Sequence, residues 1–95
     1  MNVETGRCLW PDPIQRGTVL CRSRGGLWYP YRPGVHDPAL GIAHTERYYG
    51  ETEIRVLTVG HVDADALIGL DWRSRKQLQG AGLVVVDRQR EGAEA

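Results

Sequence analysis

At 95 residues, the chain has room for one domain with a modest core. Apolar residues are 41% and charged residues 25%, a balance that fits a folded globular protein and excludes a disordered or fibrous one. Twelve basic and twelve acidic side chains cancel, so no whole-molecule field draws the chain to nucleic acid or an anionic membrane.

Short β-prone runs follow one another at 7–10, 18–22, 27–31, 52–59, 66–72 and 83–87. They are separated by turn signals such as Pro11-Asp12-Pro13, Gly25-Gly26, Pro33-Gly34, Gly50 and Gly80-Ala81-Gly82. The run 52–59 alternates, with Ile54, Val56 and Thr58 on one face and Arg55, Leu57 and Val59 on the other. Residues 38–49 show no period and read as a long surface loop. Ser74 reads as the cap of a short helix near 74–79, stopped by Gly80. The expected fold is therefore mainly β: a small barrel or sandwich over residues 1–87, one short helix, and a polar tail over 88–95.

This order of strands, loop, central strand, helical turn and last strand resembles the SH3-like small barrels. Trp28-Tyr29-Pro30 is similar to the aromatic run of Tudor-type barrels. In length and layout the chain looks like the SH3-like connector and capsid-associated proteins of tailed phages, which implies a structural subunit of a virion.

The segment 22–34 is the most informative. It holds Arg22, Arg24, Arg32, Trp28, Tyr29 and Tyr31 together with three glycines and two prolines. A core would not carry so much Arg and Gly, nor a linker so many rings. Trp, Tyr and Arg dominate protein-contact hot spots, and the same rings can stack on single-stranded bases. Alternation puts Leu27, Tyr29 and Tyr31 on one face and Trp28 on the other. Two readings stay open: a ring packs inward while the arginines solvate the loop, or the segment is a contact surface. The high Arg-to-Lys ratio (eleven to one) reflects a GC-rich genome more than chemistry, so it adds no weight. Charge is uneven along the chain: +3 over 1–36, −4 over 37–65 and +1 over 66–95. Internal pairing or docking between copies would both satisfy that pattern.

Other motifs are weaker. If 7–10 and 18–22 form a hairpin, Cys8 falls opposite Cys21, and a disulfide there would stabilise by about 3 kcal/mol. A reducing cytoplasm favours two reduced, partly buried thiols instead. His61, Asp63 and Asp65 share a strand face but lack a further ligand at a recognisable spacing, so they read as turn chemistry, with no metal. Leu67-Ile68-Gly69-Leu70-Asp71-Trp72 resembles the late signature of retropepsin-like proteases. That family needs an upstream Asp-Thr/Ser-Gly loop, and only Glu4-Thr5-Gly6 approaches it, so no catalytic carboxylate is supplied. No phosphate loop is present. The longest apolar run, Leu83–Val86, is far short of the roughly 20 residues of a membrane span. Residues 1–6 lack the pattern of a secretory signal, so a cytoplasmic or virion location is expected, with no membrane partner.

The sequence thus leads to a non-enzymatic adaptor without cofactors, acting on other protein subunits as a homo-oligomer or in a hetero-assembly. Its expected contact residues are Arg22, Arg24, Trp28, Tyr29, Tyr31, Arg32, Tyr48 and Tyr49. Two alternatives remain: a nucleic-acid-binding barrel that uses the aromatic–Arg loop, and a small inhibitor docking on a host or rival protein.

Overall fold

The computed structural model describes residues 1–87; the expected polar tail over 88–95 lies outside the described residues. Among the described residues six strands form: β1 (Asn2–Arg7), β2 (Val19–Arg22), β3 (Trp28–Pro30), β4 (Ala39–Ala43), β5 (Glu53–Asp63) and β6 (Leu83–Val86). A 3-10 turn (Ala64–Ala66) and one helix, α1 (Trp72–Ala81), lie between β5 and β6. The chain is mainly β with one short helix, as its turn density predicts.

The first five strands are antiparallel neighbours in the order β1-β5-β4-β2-β3. A parallel bridge between Arg7 and Leu27 brings the two ends of that path together, so the sheet curls toward a barrel. Closure of this kind leaves little unpaired edge. β5 changes partners along its length. Its first half pairs with β1 and β4, and its last four residues pair in parallel with β6. Gly60, at φ +152°, marks the change; a side chain is strained in that conformation.

Alternation along the central strands builds two cores, one on each face of the sheet. Val19, Cys21, Ile42 and Leu57 point one way and pack with Leu78 of α1 and Leu83 and Val85 of β6. Leu20, Ala43, Ile54 and Val56 point the other way and surround Trp28 with Cys8 and Ile14. The Trp28 ring fits because two glycines make room. A methyl on Gly6 would overlap the indole, and one on Gly41 would lie 3.1 Å from it while overlapping Val56.

Several expected elements differ. The loop expected over 38–49 contains β4, whose residues are almost all buried. A strand covered on both faces shows no alternation, which is why its period is invisible. The first strand runs over Asn2–Arg7, not 7–10, so the Cys8–Cys21 hairpin does not exist. Both cysteines are free and buried, in different cores. The strand expected over 66–72 reduces to one bridge, Thr18 to Ile68. The helix starts earlier than expected because Asp71, not Ser74, is its cap. The Asp71 carboxylate accepts from the Ser74 amide at 2.7 Å while the Ser74 hydroxyl accepts from the Asp71 amide at 2.9 Å, a reciprocal capping box. The helix runs past Gly80 to a left-handed stop at Gly82. His61 and Asp63 lie in β5 rather than in a turn between strands, and only Asp65 falls in the 3-10 turn.

Candidate interaction surface

A buried arginine shapes the segment that carries the site. Arg47 is 4% exposed, and its guanidinium donates to three backbone carbonyls: Glu51 (2.8 Å from Nε), Asp12 (3.1 Å) and Cys8 (3.4 Å). Its own amide and carbonyl pair with Ile14, each at 2.9 Å. The Cys8 amide donates to the Thr52 carbonyl at 2.9 Å. The loop from Cys8 to Pro13 is thus tied at both ends to the 47–52 turn. Pinned this way it turns Leu9 outward, 54% exposed, and leaves Trp10 half-buried at the surface.

Trp10 gathers what the sequence held apart. Its ring stacks on Tyr29 at 6.2 Å between centroids and 19° between planes. The Arg32 guanidinium sits over the same indole, 4.8 Å from its centroid. The Tyr29 hydroxyl donates to Asp37. Burial, followed by that hydrogen bond, pushes the Tyr29 phenol up to about 12. The nearby Cys21 thiol is also pushed up to about 12, first by burial and then by Asp37. Both groups are therefore neutral at physiological pH.

Two shallow cavities adjoin across Leu9 and Trp10. One, of about 220 Å³ and mostly apolar, lies toward Ser23, Leu27, Trp28 and Tyr29. The other, of about 270 Å³, lies toward Pro11, Tyr49 and Glu51. A third, of about 280 Å³, continues beyond Glu51 and is lined by Glu46, Glu53 and Arg55. The result is one surface strip with an aromatic middle covered by Arg32, an end at Ser23 flanked by Arg22 and Arg24, and an acidic end.

The expected contact residues divide. Tyr29, Arg32 and Tyr49 meet on this strip through Trp10, and Tyr49 is 80% exposed. Arg22 is exposed and lies over the Trp28 ring at 5.5 Å; Arg24 is exposed in the β2–β3 turn. Tyr48 is 63% exposed, with a hydrogen bond to Glu46 that raises its phenol. Trp28 and Tyr31 are corrected: they are 2% and 5% exposed and belong to the two cores. The Tyr31 hydroxyl donates to Asp71 at 3.1 Å, which ties the residue after β3 to the cap of α1.

Sequence reasoning missed Leu9, Trp10 and Arg47. Reading 7–10 as strand gave Trp10 to the sheet, although Pro11-Asp12-Pro13 beside it signals a loop. Nothing local marks Arg47, because its partners are carbonyls 4 to 39 positions away.

The chain matches no protein-family model and no curated protein. Its chemistry must be read from the geometry. Among the described residues no three His, Cys, Asp or Glu side chains are grouped to hold a metal ion, and no helix is long and apolar enough to cross a membrane. A further cavity, of about 300 Å³ between Arg16, His44, Leu57 and Asp63, lies apart from the aromatic strip and shares no lining residue with it.

Proposed function

We propose that the protein is a non-enzymatic contact module that works by binding protein subunits through the strip centred on Trp10. The observation that carries this reading is the Trp10–Tyr29–Arg32 stack, held at the surface beside exposed Leu9 and Tyr49. Aromatic and Arg anchors next to shallow apolar hollows are the usual content of an interface centre. The layout that resembles phage connector barrels makes a virion or similar assembly the setting of this reading.

The geometry favours protein over single-stranded nucleic acid. Base stacking needs open ring faces along a basic groove. Here Trp28 is buried, Tyr29 and Trp10 lie against each other, Arg32 covers part of Trp10, and the strip turns acidic beyond Tyr49. The inhibitor alternative uses the same surface on a different protein partner.

A photoreactive amino acid at position 10, with irradiation in the native cells, tests the reading. Protein adducts are expected from position 10 and none from position 65, which is exposed in the 3-10 turn. Nucleic-acid adducts, or no adducts at all, would contradict it.

A further inference from the structure

The strip has an internal order that names a partner. Leu9 and Trp10 stand in its middle, shared by two cavities. Arg32 covers the Trp10 ring at that centre, and on one side Arg22 and Arg24 flank Ser23, which lines the apolar hollow. On the other side Glu46, Glu51 and Glu53 line one hollow against the single cation of Arg55. A surface with an apolar centre, a basic end and an acidic end is complementary to itself after a half-turn about its centre. The same half-turn sets Trp10 of one copy against Trp10 of another and each arginine end against a carboxylate end. A two-fold interface requires this self-matching of one patch, and few patches with a single sign of charge can supply it.

Resting on the contact-module reading, we infer that the partner of the Trp10 strip is a second copy of this chain, docked antiparallel as a closed two-fold dimer. The apolar centre supplies the desolvated anchors, and the two charged ends fix the orientation, since a parallel arrangement would bring like charges together.

The test uses two variants and their mixture. Arg22→Glu/Arg24→Glu makes both ends acidic; Glu46→Lys/Glu53→Lys makes both ends basic. These side chains are exposed, and Glu51 is left intact because it holds the Tyr48 amide. In sedimentation equilibrium the wild-type protein is expected at the mass of two chains, with association weakening as salt rises. Each variant alone is expected to self-associate at least about tenfold more weakly. An equimolar mixture is expected to return to two chains, which also shows that both variants are folded. A wild-type mass of one chain at every concentration overturns the dimer, as does a mixture that stays at one chain. Masses growing beyond two chains overturn closure in favour of an open head-to-tail array. None of these results touches the contact-module reading, which fails separately if position 10 yields no protein adduct.

Discussion

Trp28 and Trp10 share a side-chain type and differ in what their removal costs. The Trp28 indole fills the space between Gly6 and Gly41, and its Nε1 is buried without a hydrogen-bond partner. An unpaired donor costs about 1–3 kcal/mol, which burial of some 150–250 Å² of ring at about 25 cal/mol per Å² outweighs. Trp28→Ala is expected to lose about 3–5 kcal/mol in a denaturant titration. Trp10→Ala, which empties a surface site, is expected to lose no more than about 1 kcal/mol. Equal losses would place both rings in the core. Titration adds a second expectation at this scale. Tyr29 is raised from 10.0 and Cys21 from 9.0, each to about 12, so the fold favours their protonated forms. Their contribution is complete below pH 9 and is lost as pH rises toward 12, because the unfolded chain ionises first. Tyr29→Phe is expected to flatten stability against pH between about 10 and 12. An unchanged alkaline slope would mean that neither burial nor the Asp37 bond raises the Tyr29 phenol.

The helix depends on a single carboxylate. Asp71 is held below its ordinary value, chiefly by the Ser74 amide and further by the Ser74 and Tyr31 hydroxyls, against an opposing desolvation effect. A lowered carboxylate stabilises above its unfolded value of 3.8, and that contribution disappears as pH falls through the folded value. Asp71→Ala is expected to cost about 1 kcal/mol at neutral pH and to reduce the loss of stability below pH 4, read from thermal melts across pH. Arg47 acts on the loops as Asp71 acts on the helix. Arg47→Lys keeps the charge but lacks the planar fork, so it leaves buried carbonyls unmet and is expected to cost about 1–3 kcal/mol by denaturant titration. If it costs nothing, the clamp does not order the Trp10 loop.

Which elements were legible in the sequence follows from the same physics. β2, the first half of β5 and β6 show their β-branched runs locally. β4 did not, because Ala39-Leu40-Gly41-Ile42-Ala43 is covered on both sides and carries no polar–apolar rhythm. The helix start was misplaced by three residues because a capping box contains two cap-like side chains, Asp71 and Ser74. Of the contact surface, Tyr29, Arg32 and Tyr49 were visible as residue types. Their meeting at Trp10 depends on Arg47 joining loops that lie far apart in the chain, and no local pattern encodes that.

At the scale of the whole molecule, one sheet with two cores divides the work. One core carries α1 and β6; the other is built around Trp28, which also lines the hollow beneath the exposed strip. Zero net charge then conceals a dipolar strip, and salt should act on association rather than on folding. Trp72, 74% exposed on α1 beneath Lys76, is a built-in comparison, since it lies outside the strip. Hydroxyl-radical footprinting read by mass spectrometry, on dilute and on associated protein, measures all of these rings at once. Trp10 and Tyr49 are expected to label in the dilute protein and to become protected on association, with Trp72 labelled and Trp28 unlabelled throughout. Protection of Trp72 while Trp10 stays labelled would contradict the assignment of the contact surface.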